Sequence, residues 1–498
     1  MVSYVKRALS SVGILFFFAV VGAGSAYLLR LFFAHKLGVE SYGLFYAVYA
    51  LLAFVISFGD LGLGMALTKY TAEFSVQKKF KAIKNSIVFV LFENIVVSAL
   101  FVLLFFFLAD FLAVHYFKTS EASFLIKLIV VAFFFQAFLD VLRWSFLGFQ
   151  DMVSYAVVHH LKTTSVLALA LIFFHFFDGL YAASYAYIFY PLVFLLFFLP
   201  VFFKKTFPSF FTLRSRFDKV LIKKLFSFAL PQTITTSGSL TLGYMDTIFL
   251  TLFRNVVEVG VYNVALPTAK LLTFVSEGIA TFLIPFTSEL WSKGHKQHLL
   301  DGAQLLYKYL FMVGLPGIGV LIAFSDVLIT LFFGMDYFDA VLPLRILSFG
   351  SLGLMMYIVN FAFLSGLNQP KVNAKIMGSA ALLNAALNIV LIPFYGVVGA
   401  AIATSTSYFF IFGTSMWYIR KFIPIRVPFL DWGKTLCSTF VMVLLIFYLK
   451  GVFMFNNIWE AGIIVGIVGI VYLLLLYSMK LLDFVELKGI FDQITKGK

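Results

Sequence analysis

The chain has 498 residues, of which 62% are hydrophobic and only 12% are charged. Soluble domains carry roughly a quarter charged residues, so this composition excludes a water-soluble globular protein. The net charge of +14 is typical of a membrane protein whose Lys and Arg residues collect on the cytoplasmic side, and we do not expect nucleic-acid binding.

Fourteen apolar segments, each long enough to cross about 30 Å of hydrocarbon as a helix, follow one another along the chain. We expect helices because open strands would leave backbone groups unpaired in lipid. The segments lie near residues 10–34, 42–66, 85–108, 122–146, 154–176, 179–202, 225–251, 259–286, 304–333, 340–364, 373–394, 397–419, 434–450 and 459–480. The connections at 176–179 and 394–397 are so short that they predict helical hairpins.

Basic residues alternate between the connections. The predicted outer connections hold Lys36, Lys118, Arg254 and Lys450, whereas nearly all other loop cations fall in the predicted inner connections. This bias predicts a multi-pass protein of the cell membrane with both termini cytoplasmic. One missed helix would invert every later loop, so the alternation also favours the number fourteen.

The two halves of the chain resemble each other. A nearly constant offset matches Gly43 with Gly260, Phe45 with Tyr262, Asp60 with Glu277, Lys127 with Arg345, and Gly148 with Gly366. Each repeat holds six predicted helices, an even number, so both have the same orientation. The two lobes should therefore be related by a pseudo-two-fold axis along the membrane normal.

The predicted architecture is an all-α membrane protein of fourteen transmembrane helices. It comprises an N-terminal six-helix lobe (1–203), a cytoplasmic inter-lobe linker (204–224), a C-terminal six-helix lobe (225–420), and a C-terminal helix pair with a cytoplasmic tail (421–498). Two such lobes facing each other would enclose a central cavity, which is the architecture of an alternating-access transporter.

Motifs for metal binding and catalysis are absent from the sequence. It contains no CxxC, HExxH, phosphate-binding glycine loop or Gly-x-Ser-x-Gly pattern, so we expect no metal, no cofactor and no enzyme activity. Asp140 and Arg143, three residues apart on a helix, predict a local ion pair. Lys162 lies close enough to an inner helix end to extend its ammonium towards the membrane surface.

Polar residues form a stripe on each of two consecutive predicted helices. Helix 7 carries Gln232, Thr236, Ser239, Gly243 and Asp246 at steps of three and four, and helix 8 carries Asn263, Lys270 and Glu277 at seven-residue spacing. Two adjacent helices with one polar face each predict a water-filled cavity. The alternative is polar contact between packed helices.

Intramembrane charges are costly and usually functional, so they supply the candidate site. The candidates for binding phosphate and sugar are Arg30, Lys270, Arg345, Asn263, Gln232 and Ser239. The candidates for coupling to a cation, H⁺ or Na⁺, are Asp60, Glu93, Asp246 and Glu277. The alternatives are an interfacial position for Arg30, and structural ion pairs or wet helix ends for the carboxylates.

Several stretches resemble a known family. Residues 28–45 and 59–70 are similar to the opening of the polysaccharide-biosynthesis flippases, and residues 246–250, 259–265, 284–286, 344–347 and 364–370 are similar to their second half. These flippases belong to the multidrug/oligosaccharidyl-lipid/polysaccharide exporter superfamily. The resemblance implies fourteen helices in two lobes that flip a polyprenyl-phosphate or polyprenyl-diphosphate sugar from the cytoplasmic to the outer leaflet.

The same resemblance assigns individual residues. The arginine of the family's helix 1 motif maps to Arg30, and the aspartate that opens its second half maps to Asp246. Related peptidoglycan-precursor flippases keep an arginine in helix 8 where this chain has Leu266, which favours another lipid-linked glycan as the substrate. Lys270 lies one turn further along that helix.

These observations predict a monomeric transporter for a lipid-linked oligosaccharide. The alternative is a cation-coupled multidrug antiporter of the same superfamily, which would require a cavity dominated by carboxylates. A third hypothesis, a membrane glycosyltransferase or polymerase, requires a large outer loop, and the longest outer connection, 109–121, is short.

Overall fold

The computed structural model describes residues 2–214, 218–452 and 458–481, without the side chains of residues 2–12, 231, 232, 234–240, 458, 459 and 461. Helices account for nearly all of this described part, and it contains no β-strand. The predicted all-α class is confirmed.

Sixteen α-helices follow one another along the described chain. In the first half they are α1 (Val2–Ser57), α2 (Leu63–Val76), α3 (Phe80–Leu112), α4 (Glu121–Gly148), α5 (Met152–His160), α6 (Lys162–Phe176), α7 (Gly179–Val201) and α8 (Lys219–Phe253). In the second half they are α9 (Val256–Ala269), α10 (Thr273–Ser292), α11 (Lys296–Ala323), α12 (Ser325–Phe332), α13 (Val341–Gly366), α14 (Pro370–Ile419), α15 (Phe429–Val452) and α16 (Ile458–Ser478).

Nine helical segments of the described chain are long and apolar enough to cross a membrane, or ten if α5 and α6, which meet at 47°, form one span. Two of these segments are interrupted by a glycine with positive φ. Gly38 in α1 has φ 71° and Gly396 in α14 has φ 53°, a backbone conformation that glycine adopts without strain. Each of these long helices therefore turns between two consecutive apolar segments.

Both predicted hairpins are confirmed. Helix α6 ends at Phe176 and α7 begins at Gly179, while α14 turns at Gly396. Large apolar side chains such as Phe107, Phe394 and Leu430 are about four-fifths exposed, as expected of residues that face lipid in a multi-pass membrane protein.

The chain divides into two compact units. Unit 1 comprises Met1–Val264 and Met377–Ala403, and unit 2 comprises Ala265–Ile376 and Thr404–Lys498. The borders fall inside α9 and α14, not in the predicted linker 204–224. The division into two six-helix lobes stays a prediction.

In unit 1, α4 packs against α2, α3 and α7, and α1 packs against α5, α6 and α8. Phe33, Phe45 and Phe146 are completely buried in this core. Lys224 of α8 donates a hydrogen bond of 2.9 Å to Glu73 of α2. That bond lowers the pKa of the Glu73 carboxyl from its usual value.

In unit 2, α13 is the most buried helix and packs against α10 and α11. Polar side chains connect its neighbours inside this apolar core. The Tyr307 hydroxyl donates to Asn360 Oδ1, and Asn360 Nδ2 donates to Ser415 Oγ at 2.7 Å. All three residues are buried, so this network satisfies groups that lipid could not.

The sequence repeat reappears as repeated local packing. A Cβ atom on Gly148 would lie 2.7 Å from Cβ of Thr71 in unit 1, and one on Gly366 would lie 2.6 Å from Cβ of Thr287 in unit 2. Gly148 and Gly366 are matched by the repeat, and each ends a helix beside a threonine. The same close helix contact is therefore built once in each unit.

Candidate functional site

Arg30 is held inside unit 1 by a backbone carbonyl and an aromatic face. Its Nη1 donates to the carbonyl oxygen of Asn263 at 3.2 Å, and its guanidinium lies 4.6 Å from the ring centre of Tyr46. The Tyr42 hydroxyl donates to the same carbonyl at 3.4 Å. Within the described chain, no carboxylate lies within 4 Å of Arg30. The side chain therefore turns towards neighbouring helices.

A proline explains why this carbonyl accepts bonds from side chains. Pro267 lies four residues after Asn263 within α9 and has no N–H, so the regular helical bond to the Asn263 carbonyl cannot form. A buried carbonyl left without its helical donor requires another one. Arg30 and Tyr42 supply those donors, and the broken helix thus fixes the position of the guanidinium.

The side chain of Asn263 has a packing role in unit 1. Its Nδ2 donates to Thr247 Oγ1 at 3.2 Å and to the carbonyl of Val259 at 3.0 Å. Asn263 therefore contributes its backbone oxygen to the Arg30 site. Its side-chain amide donates hydrogen bonds to Thr247 of α8 and to Val259 of α9.

Asp246 is 2% exposed and lies at the centre of a polar network in unit 1. Its Oδ2 accepts a hydrogen bond of 2.5 Å from the Tyr262 hydroxyl. Its Oδ1 accepts from Asn388 Nδ2 at 2.6 Å and from Asn384 Nδ2 at 3.2 Å. Both asparagines are fully buried, and Asn388 Oδ1 has no hydrogen-bond partner within the described chain.

Sequence reasoning missed three members of this network. Asn384 and Asn388 lie one turn apart on one face of an apolar helix, which was a signal for a polar contact. Tyr262 follows the matched glycine Gly260 and reads as an ordinary core aromatic. None of the three can be assigned to Asp246 from sequence alone.

Asp60 and Glu93 lie near a cavity in unit 1. Asp60 Oδ1 accepts a hydrogen bond of 3.1 Å from the Gly64 N–H and lines a cavity of about 470 Å³. Glu93 Oε2 accepts from Asn94 Nδ2 at 3.3 Å, while Glu93 Oε1 is buried without a hydrogen-bond partner in the described residues. Neither carboxylate forms an ion pair there.

The predicted pair of Asp140 and Arg143 is confirmed. Arg143 Nη2 lies 2.9 Å from Asp140 Oδ1, and Arg143 Nη1 lies 3.0 Å from His159 Nδ1. Lys162, the first residue of α6, lines the same cavity as Asp60. Its expected extension towards the membrane surface stays a prediction.

In unit 2, Lys270 lies in a break between two helices, and Glu277 lies in the helix that follows. Lys270–Leu272 is a 3₁₀ turn between α9 and α10, three residues after Pro267. The expected polar stripe through Asn263, Lys270 and Glu277 therefore does not run along one continuous α-helix. The Lys270 ammonium lies 5.7 Å from the ring centre of Tyr408, and the exposed Glu277 accepts from Thr273 Oγ1 at 3.5 Å.

The remaining candidates are Arg345, Gln232 and Ser239. Arg345 Nε donates to the buried Ser325 hydroxyl at 2.7 Å, which joins α13 to the start of α12 in unit 2. The side chains of Gln232 and Ser239 lie outside the described residues, although both belong to helix α8. Within the described chain, no group of three His, Cys, Asp or Glu residues could hold a metal ion.

The sequence matches two known protein families. Residues 8–291, more than half of the chain, match the family described as polysaccharide biosynthesis protein. The chain belongs to this family. Residues 231–390 also match the MatE family. The polysaccharide biosynthesis family lies within the multidrug/oligosaccharidyl-lipid/polysaccharide exporter superfamily, as the sequence resemblance predicted.

Two curated relatives are archaeal. The chain is 28% identical to the uncharacterized membrane protein MJ1068 of Methanocaldococcus jannaschii, over 99% of this chain and 100% of that protein. It is 24% identical to the probable low-salt glycan biosynthesis flippase Agl15 of Haloferax volcanii, over 51% of this chain and 55% of that protein.

The fold is similar to that of a solved flippase. The lipid II flippase MurJ in an inward closed conformation has a TM-score of 0.73 at 14% identity, and the match covers 93% of this chain and 98% of that one. At this identity the likeness concerns the fold alone. Agl15 and MurJ are described as flippases, and the expectation that this chain is not an enzyme stays a prediction.

Proposed function

We propose that this protein moves a polyprenyl-phosphate- or polyprenyl-diphosphate-linked oligosaccharide from the cytoplasmic to the outer leaflet by alternating access. The observation that carries the proposal is Arg30, a permanently charged side chain inside a transmembrane helix with no carboxylate within 4 Å in the described chain. An intramembrane cation costs at least ~2.5–3.5 kcal/mol, so an anionic ligand is the expected compensation.

The guanidinium is suited to a phosphate group. Its planar fork matches two phosphate oxygens, and the Asn263 carbonyl and the Tyr46 ring already fix its orientation. Lys270, in unit 2, is a separate candidate for binding an anion, since it forms no ion pair with described residues. Arg345 is a weaker candidate because Ser325 already binds its Nε.

The proposed architecture has fourteen crossings, two six-helix lobes related by a pseudo-two-fold axis and both termini in the cytoplasm. A hydrated sugar cannot cross about 30 Å of hydrocarbon unaided, so the head group requires a wet route between lobes while the lipid tail stays in the bilayer. The reciprocal contact between Gly43 and Gly260, described below, supports the two-fold relation.

Asp246 is the proposed site of cation coupling. Hard cations such as Na⁺ prefer carboxylate and amide oxygens. Asp246, Asn384 and Asn388 supply such oxygens in one buried cluster, and Asn388 Oδ1 accepts no hydrogen bond from any described residue. Asp60, Glu93 and Glu277 are secondary candidates for the same role.

A cation-coupled multidrug antiporter is the second candidate function. The MatE match and the two carboxylates Asp60 and Asp140 beside one cavity favour it. The cations Arg143 and Lys162 beside the same cavity oppose it, because they would repel an organic cation.

The test is flipping of a labelled polyprenyl-diphosphate oligosaccharide in proteoliposomes. Arg30→Ala should slow flipping by about tenfold or more, because a charge-assisted hydrogen bond contributes ~1.5–3 kcal/mol. The flipping rate of Arg30→Lys should lie between those of wild type and Arg30→Ala, since lysine keeps the charge but lacks the planar guanidinium group. Lys36→Ala, an exposed cation on the same helix α1, is the matched control and should flip normally.

If Arg30→Ala flipped the lipid at the wild-type rate, the proposal that Arg30 binds the lipid phosphate would be wrong. A wild-type protein that transports an organic cation such as ethidium, and moves no lipid-linked glycan, would establish the antiporter instead.

A further inference from the structure

The cavity beside Asp60 is lined by several polar side chains that neither the proposed phosphate binding nor the proposed cation coupling requires. It lies within unit 1, and its volume of about 470 Å³ falls in the range of small-molecule pockets, roughly 300–1,000 Å³. Six charged or amide side chains line it, namely Asp60, Asn94, Gln136, Asp140, Arg143 and Lys162.

The charges of this lining balance. Asp140 and Arg143 neutralise each other at 2.9 Å, and Gln136 Nε2 donates to Asp140 Oδ2 at 3.4 Å. Asp60 and Lys162 add one further carboxylate and one ammonium, and neither forms an ion pair with a described residue. A strongly anionic diphosphate or an organic cation would each meet a repelling group, so the lining fits a polar ligand of low net charge.

Aromatic faces complete the wall. Tyr49, Phe101, Phe133, Trp144 and Tyr244 line the cavity, and Arg143 lies 4.2 Å from the ring centre of Trp144. Carboxylates, amides and guanidinium groups bind hydroxyl groups through directed hydrogen bonds, while aromatic faces cover apolar C–H surfaces. A sugar ring presents both kinds of surface.

The repeat shows that the fold does not require these polar residues. At the offset that matches Gly148 with Gly366, the counterparts of Gln136, Asp140 and Arg143 are Leu354, Ile358 and Phe361. The counterpart of Lys162 is Ala380. Residues needed only to pack the shared helices would be expected in both halves, so packing does not account for these four polar residues. Asp60, in contrast, keeps an acidic counterpart in Glu277.

We propose that this cavity binds a sugar unit of the glycan head group and selects lipid-linked substrates by their glycan. This inference rests on the proposed function, since it names a subsite for the same substrate. Gln136, Asn94 and Lys162 would donate to sugar hydroxyl or carboxyl oxygens, and Asp60 would accept from hydroxyl groups. The ring would lie against the Trp144 and Tyr49 faces.

The test compares two lipids in proteoliposomes. One is the lipid-linked oligosaccharide extracted from membranes of the organism that makes this protein, and the other is unglycosylated polyprenyl phosphate. Gln136→Leu should slow flipping of the glycosylated lipid by about fivefold, the effect of one neutral hydrogen bond, and Lys162→Ala by about tenfold, the effect of one hydrogen bond from a charged group. Both variants should leave any flipping of the bare lipid unchanged. Gln136→Leu introduces the residue that the second half carries, so it should fold.

Two further variants test whether the effect on flipping depends on the cavity. Ala137→Phe fills the cavity without removing a polar group and should block the glycosylated lipid alone. Lys127→Ala removes a cation from the same helix α4 outside the cavity and should flip both lipids normally.

The outcomes separate the two proposals. If the wild-type protein flips the glycosylated lipid and all three cavity variants flip it equally well, the cavity is a water-filled vestibule only and the sugar subsite is overturned. If the wild-type protein flips neither lipid, the proposed function itself fails. Thermal unfolding of each variant in the same detergent excludes loss of folding as the cause.

Discussion

Gly43 and Gly260 are in contact in unit 1, and each lies against the backbone of the residue four positions before the other glycine. A Cβ atom on Gly260 would lie 2.5 Å from the carbonyl oxygen of Val39, and a Cβ atom on Gly43 would overlap the carbonyl oxygen of Val256. The repeat matches Gly43 with Gly260, and the same offset matches Val39 with Val256. The contact is therefore reciprocal, as expected for matched residues that meet near a two-fold axis.

Gly43→Val should destabilise the protein. Its side chain has no space against the Val256 carbonyl, and overpacking typically costs about 1–3 kcal/mol. Thermal unfolding in detergent should show a lower midpoint than wild type. Gly24→Ala on the same helix α1 has nothing within 4 Å and should unfold like wild type. Equal midpoints for Gly43→Val and wild type would contradict the close helix contact.

Pro267→Ala should weaken the Arg30 site. The new N–H can form the helical bond to the Asn263 carbonyl and compete with Arg30 for that oxygen. We expect transport of the lipid-linked glycan to fall roughly fivefold, the effect of one ordinary hydrogen bond of about 1 kcal/mol. In an Arg30→Ala background the proline substitution should have little further effect. Additive losses would show that Pro267 acts independently of Arg30.

Asp246→Asn should abolish cation dependence of transport. The substitution keeps the shape of the side chain and removes the charge that a coupling cation would neutralise. Flipping rates measured across Na⁺ and proton gradients should respond to one gradient in wild type and to neither in the variant. Asp326→Asn, which changes a carboxylate paired with Lys450 in unit 2, is the matched control and should keep gradient dependence. If transport by Asp246→Asn still responded to the gradient, a residue other than Asp246 would couple transport to the cation.

Glu258→Ala should destabilise the hairpin at Gly396. Glu258 Oε2 accepts a hydrogen bond of 3.0 Å from the Val397 N–H at the turn of α14, and Oε1 accepts from Arg254 Nε at 2.8 Å. Losing such a cap costs about 1 kcal/mol. Hydrogen exchange at residues 396–400 should therefore become faster.

The exposed ion pair of Glu289 and Lys293 is the control, because it has the same four-residue spacing as Arg254 and Glu258 but no described hydrogen bond to a turn. Glu289→Ala should change stability by less than ~0.5 kcal/mol. Unaltered exchange in Glu258→Ala would show that the carboxylate does not hold the turn.

Single cysteines should report the proposed topology. With Cys437 replaced by serine, Lys36→Cys should react with a membrane-impermeant maleimide on intact cells, and Lys79→Cys should react only after permeabilisation. Both lysines are exposed, so access depends on the side of the membrane. Labelling of both positions from the same side would overturn the predicted orientation.

The sequence predicted positions and types of individual groups better than their partners. It singled out Arg30 and Asp246 as charged residues inside apolar helices, and it predicted the ion pair between Asp140 and Arg143 because those residues are one turn apart. Asn384 and Asn388 reach Asp246 from a distant segment, and Lys162 of α6 lines a cavity together with residues of α1, α3, α4 and α8. Such meetings depend on how helices pack.

The sequence by itself determined the helical class, the apolar segments, both hairpins and the repeat. Lipid imposes these features, because every spanning backbone must bond internally and each span needs about 20 apolar residues. Only the tertiary structure decided that a proline-freed carbonyl holds Arg30, that two asparagines bind Asp246, and that polar side chains of unit 1 line one cavity. Hydrogen bonds between helices require side chains within about 3 Å in space, and separation along a chain does not specify that distance.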